Sequence, residues 1–125
     1  TIFVEDEDGA ISHVFVIAES LVGSYLRGVD LTDVDVSGID FSYANLRDAS
    51  LSGISASAVM FVETDFTGAD LSNSDLTFAY LPYTVLQNTN FTGADLTGAE
   101  LTDADALSAN FTDAIMDDVI GYESD

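Results

Sequence analysis

The segments DFTGADLSNSDL (65–76) and NFTGADLTGAELTDA (90–104) repeat one short phrase, and their spacing decides the fold. A Leu or Phe returns every fifth residue: Phe66, Leu71, Leu76, Leu81, Leu86, Phe91, Leu96 and Leu101. Two places before each stands a small residue, as in Thr64, Ala69, Ser74, Ala79, Thr84, Thr89, Ala94 and Ala99. Asp, Asn or Glu usually fills the place between. An amphipathic helix repeats its apolar face about every 3.6 residues and a strand about every 2. A strict period of five fits neither. Such a short fixed period means that each unit buries its apolar side by stacking on its neighbours.

The same register runs backwards through Phe61, Ala56, Leu51, Leu46, Phe41, Val36, Leu31 and Leu26, and forwards through Ala106, Phe111 and Met116. The small position keeps step from Ser24 to Val119 with no insertion or deletion. In these residues the chain resembles the pentapeptide-repeat family, whose pattern is A(D/N)LXX, over roughly three-quarters of its length. The resemblance implies an all-β fold, a right-handed quadrilateral β-helix in which four pentapeptides make one square coil. Its large and small positions point inward and the other three point to solvent. Coils stacked at about 4.8 Å would give a solenoid of about five coils. The volumes agree with that reading. Taken four at a time, the large positions place one Phe in every coil: Phe41, Phe61, Phe66, Phe91 and Phe111. A near-constant cross-section is what close packing requires.

Three segments are expected: an N-terminal hairpin or cap (1–22), the repeat solenoid (23–119) and a C-terminal tail or cap (120–125). TIFVE and AISHVFVI flank an Asp8-Gly9 pair and read as two strands around a turn. The open end of a solenoid exposes its core, so the hairpin is expected to cover it; docking to another protein is the rival role. At the far end Ile115, Ile120 and Tyr122 fall where polar residues belong, so that either the tail DDVIGYESD folds over the last coil or a second copy stacks there.

Charge is the strongest compositional signal. The chain of 125 residues carries 23 acidic residues against two basic ones, a formal net charge of −21. Both basic residues are Arg. Repulsion on that scale destabilises a compact state in dilute buffer. Salt near 1 M, where the Debye length is about 3 Å, screens most of it. The surface therefore resembles that of proteins from high-salt organisms. Unaided nucleic-acid binding, which requires a basic surface, is disfavoured. Some pentapeptide-repeat proteins resemble DNA in shape and charge and bind type II topoisomerases such as gyrase. Here the carboxylates fall on all four faces, which favours general solvation over mimicry, and DNA mimicry stands as the alternative function.

The sequence offers little chemistry. His13 is the only His, in the expected hairpin, and a nucleophile–base arrangement has no third partner near it. Asp75 and Asp95 should be vertical neighbours with Asp117-Asp118 above, yet calcium needs six to eight oxygens from a shaped loop. No enzyme activity, metal or cofactor is expected. Cysteine is absent, which excludes a disulfide framework. No apolar run is long enough to span a bilayer and no secretory signal is evident, which leaves localisation open.

One side breaks the polar pattern. Its outward positions include Tyr43, Met60, Val62, Tyr80, Pro82 and Tyr83, with Phe78 and Val85 at the adjoining corners, so FAYLPYTV (78–85) is apolar on both sides. Exposed contiguous apolar area marks contact sites, and Tyr and Met are enriched in interfaces. The expected function is a non-enzymatic structural and protein-binding module, a component of a larger assembly such as a virion shell or surface layer. Its partners would be proteins bound through this side, with a homo-oligomer through the ends as a further arrangement.

Overall fold

The computed structural model describes residues 2–5, 11–15 and 20–122. From Ser20 onwards every fifth residue makes a parallel bridge to the residue twenty places ahead, from Ser20 with Asp40 to Glu100 with Ile120. One turn of the chain therefore takes twenty residues, or four pentapeptides, and the fold is a repeat β-solenoid. Leu21 fills a large position one unit ahead of Leu26.

Each unit is built from the same two backbone devices. At Leu26 the N–H donates to Asn45 O one coil above (2.8 Å), and Asn45 N–H donates back to Ser24 O (2.9 Å). Between rungs the chain turns a corner, as where Val29 N–H donates to Leu26 O (3.1 Å). The third residue of each corner has positive φ, near 70° at glycines and near 57° at Asp, Asn and others. A turn with positive φ at that place is the type II form, which favours Gly and Asn.

The Asp or Asn ahead of each large residue has a structural task. Asp65 Oδ1 accepts from Thr67 N–H (3.0 Å) and from Thr67 Oγ1 (2.6 Å), which fastens the chain as it enters the corner. Asp30, Asp75 and Asp95 do the same for Thr32, Thr77 and Thr97. This is the Asx-turn bond that makes these residues frequent in turns. Asn90 and Asn110 make it equally well to Thr92 and Thr112.

The interior is a stack of large side chains with small ones beside them. Phe41 stacks on Phe61 (5.4 Å), Phe61 meets Phe66 edge-on (5.1 Å), and Phe91 stacks on Phe111 (5.0 Å). Hydroxyls at small positions are satisfied in place. Thr64 and Thr89 donate to the carbonyls of Phe41 and Phe66, both at 2.8 Å, and Ser74 and Thr84 to those of Leu71 and Leu81. A buried hydroxyl without such a bond would cost about 1–3 kcal/mol.

At the N-terminus β1 (Ile2–Glu5) pairs antiparallel with β2 (Ile11–Phe15), and the register shifts between Val4 and Glu5. His13 lies in β2 opposite Val4. The expected Asp8-Gly9 turn lies outside the described residues. At the other end Gly121 (φ 77°) packs directly on Thr102, where an added Cβ would come within 2.6 Å of Thr102 Oγ1. That turn brings Tyr122 onto Phe111 (5.1 Å).

Candidate functional site

Because stacked residues differ by twenty, the surface is a set of vertical columns. Tyr43, Glu63, Tyr83 and Asp103 form one corner column, Ala58, Phe78 and Gly98 another, and Asp40, Met60, Tyr80 and Glu100 the rung column between them. The solenoid thereby brings FAYLPYTV together with Tyr43 and Met60, which lie far from it in sequence.

Burial sorts the expected contact residues. Tyr43 (57%), Phe78 (65%) and Tyr83 (56%) are the most exposed, followed by Met60 (43%) and Tyr80 (38%). Val62 and Val85 are half-buried. Pro82, expected at the surface, is buried. Ser42 is buried in the same column, and Val62 between them is half-buried. Pro82 O still accepts from Glu63 N–H (3.0 Å). The missing proline N–H is the one that at other corners bonds the Asx side chain two residues back, as Ser42 N–H does to Asp40 Oδ1 (2.8 Å), a partner that Tyr80 does not offer.

The three most exposed aromatics of this side share a backbone feature that the sequence register alone did not reveal. Tyr43 (φ 64°), Phe78 (φ 57°) and Tyr83 (φ 59°) all occupy left-handed corner positions. Most other corners place Gly, Asn, Asp or Ser there. A bulky residue at positive φ is a genuine outlier, and such conformations cost on the order of 1–3 kcal/mol. The Phe78 ring lies flat enough over Gly98 that a Cβ there would sit 2.6 Å from its Cδ1 and Cε1. A bare glycine on the next coil is what makes room for the ring.

The charged residues in the columns of this side are carboxylates, Asp40, Glu63, Glu100 and Asp103. Both Arg side chains are paired, Arg27 with Asp48 (3.1 Å) and Arg47 with Asp65 (3.2 Å), the latter beside Val85 at the edge of this side. Burial pushes the Asp65 carboxyl up, but bonds from Thr67 and Arg47 outweigh it, and the net direction is down. Asp35 and Asp95 are lowered by hydrogen bonds from Ser37 and Thr97. Asp75 and Asp95 are vertical neighbours as expected. Among the described residues no group of three or more His, Cys, Asp or Glu is placed to hold a metal ion. No helix among them is long and apolar enough to cross a membrane.

A second apolar area lies at the C-terminal end. Ala106, Phe111 and Met116 are only half-buried, and Leu107, Ile115 and Ile120 are exposed. Leu101, Ala104, Ala106 and Tyr122 line a shallow hollow there.

The sequence matches the family model for pentapeptide repeats in eight copies, across residues 20–48, 39–77 and 79–118. No curated protein matches it in sequence. Among solved structures it is similar to the pentapeptide repeat protein Rfr23 of the cyanobacterium Cyanothece 51142, at 24% identity and a TM-score of 0.42, over 83% of this chain and 92% of that one. It is 30% identical to a pentapeptide repeat protein of the Arabidopsis thaliana thylakoid lumen, over 86% of this chain and 72% of that one, with a TM-score of 0.44. HetL of Nostoc sp. strain PCC 7120, involved in heterocyst differentiation regulation, is 23% identical over 84% of this chain, with a TM-score of 0.46; the chain spans 62% of HetL.

Proposed function

The chain belongs to the pentapeptide-repeat family, and from that premise we propose that it is a non-catalytic docking module. Its working surface is the side formed by Tyr43, Met60, Phe78, Tyr80 and Tyr83, with Val62, Pro82 and Val85 supporting it. The observation that carries this reading is the placing of three exposed aromatics at left-handed corners. Glycine or asparagine would hold those corners at lower conformational cost, so folding does not account for the aromatic rings. An interface does, because aromatic side chains dominate binding energetics.

In this reading the solenoid is a right-handed square rod of about five coils, capped at its N-terminal end by the β1–β2 hairpin. Burial supports the cap. Leu26, Leu31 and Val36 in the first coil are as buried as the middle of the core, whereas Ala106, Phe111 and Met116 in the last coil are not. The acidity suits a high-salt milieu: Asn90 and Asn110 fasten their corners as well as Asp does, so the excess of Asp over Asn is not a requirement of the fold. A stiff rod with one adhesive side fits a component of a larger assembly, such as a virion shell or surface layer.

The test is Tyr80→Asp combined with Tyr83→Asp. Both side chains are exposed, so the fold should survive, while two carboxylates in an apolar contact would be buried unpaired at a cost of several kcal/mol. Sizing and partner capture at native salt should show association lost. DNA mimicry is favoured by one observation, the pairing of both Arg side chains with Asp, which leaves the described surface without a free cation. It predicts the opposite outcome. Asp70→Asn with Asp75→Asn and Asp95→Asn would abolish inhibition of a type II topoisomerase in a supercoiling assay, and the Tyr variant would behave as wild type.

A further inference from the structure

We propose that the partner segment is basic and in the polyproline II conformation, laid along the rod axis over the column Tyr43, Glu63, Tyr83 and Asp103. This deepens the docking reading and rests on it. The column alternates an aromatic ring and a carboxylate on successive coils, and all four residues are exposed. With coils about 4.8 Å apart, rings recur every ~9.6 Å, and carboxylates recur at the same interval midway between them.

That interval selects a backbone. A polyproline II chain rises about 3.1 Å per residue with three residues per turn, so every third side chain returns to one edge after about 9.3 Å. Same-side residues of a β-strand recur every ~6.8 Å and lose step after one contact. On a helix the nearest match, seven residues at about 1.5 Å each, overshoots to ~10.5 Å. In a polyproline II segment the basic residue of each triplet reaches Glu63 and then Asp103, while the residues between pack on the faces of Tyr43 and Tyr83. Proline-rich segments dock on aromatic-lined surfaces in this way because their backbone is already ordered.

Charge complementarity fixes the sign of the partner. The chain carries −21, and both of its cations are paired away from this column. A cation arriving at Glu63 finds a carboxylate in line and a Tyr on the coil to either side, and one at Asp103 has Tyr83 beside it, which adds a cation–π contribution. The Tyr43, Tyr80 and Tyr83 hydroxyls have no partner among the described residues. They are free to donate to the partner's carbonyls, which a polyproline II backbone leaves unbonded.

The experiment measures binding of a peptide of four Pro-Pro-Arg triplets by calorimetry in about 0.3 M KCl, where long-range attraction is largely screened. A Gly-Ser-Arg peptide of equal charge is the flexible control. The triplet peptide should bind at least tenfold more tightly than the control. Tyr43→Ala and Tyr83→Ala should each weaken it about tenfold, Glu63→Gln should reduce both affinity and salt dependence, and Tyr25→Ala should change nothing. Equal binding of the two peptides would reduce the effect to bulk charge and overturn the proposal. So would indifference to the Tyr43 and Tyr83 substitutions, or preferential binding of a neutral xylan oligosaccharide to the same rings. If the triplet peptide fails while Tyr80→Asp with Tyr83→Asp still abolishes association, the docking reading stands and this partner chemistry falls.

Discussion

Truncating Phe61 to Ala removes the residue on which the interior stack turns. Its ring stacks on Phe41 at 5.4 Å and meets Phe66 edge-on at 5.1 Å, and it is buried. Truncation of a buried Phe costs about 3–5 kcal/mol, made up of lost transfer energy and the cavity left behind. Two features put this site at the upper end. Each lost aromatic pair is worth ~0.5–1.5 kcal/mol beyond area burial. The neighbouring inward residues Ala56 and Thr64 are small, and rungs bonded above and below, as by Phe61 N–H to Tyr80 O (2.8 Å), prevent the walls from closing in. The expected loss is therefore about 4–5 kcal/mol. Phe111→Ala is the internal comparison, since Phe111 is only half-buried and should lose about half as much. Urea unfolding followed by circular dichroism, at a fixed molar salt concentration, measures both. A loss below about 1 kcal/mol for Phe61→Ala, or a larger loss for Phe111→Ala, would refute the packing argument.

Three further outcomes are expected. The melting temperature should rise steeply between millimolar salt and about 1 M, as the Debye length shrinks to about 3 Å, and a flat response would remove the argument from charge. Acid should destabilise the fold through Asp35, Asp65 and Asp95, whose folded pKa values lie below the ordinary one; their contribution is complete above an unfolded value of about 4 and is lost as pH falls through the folded values. Replacing all three with Asn should flatten that acid limb, and an unchanged profile would show that these carboxylates do not govern it. Phe78→Asn should leave stability unchanged or raise it by up to about 1 kcal/mol, because Asn tolerates positive φ, while partner association weakens; a clear destabilisation would mean that the ring's contact with Gly98 supports the fold.

The sequence by itself determined the repeat. A period of five with large and small residues in fixed places can be buried only by stacking, so the inward positions from Leu26 to Met116 were readable before any coordinate. So was the grouping of Tyr43, Met60, Tyr80 and Tyr83 on one side, because a uniform repeat converts sequence distance into position. Departures from uniform exposure were not legible. Pro82 and Ser42 are buried although their register is that of surface residues, while Val62 of the same column is only half-buried, because burial at a corner depends on the neighbouring side chains and not on register. The left-handed backbone under Tyr43, Phe78 and Tyr83 was hidden too, since aromatic residues carry no signal for positive φ and only the closed corner imposes it. Burial of the first coil and exposure of the last were likewise decided by tertiary structure, because an identical unit is covered or bare according to what stacks on it.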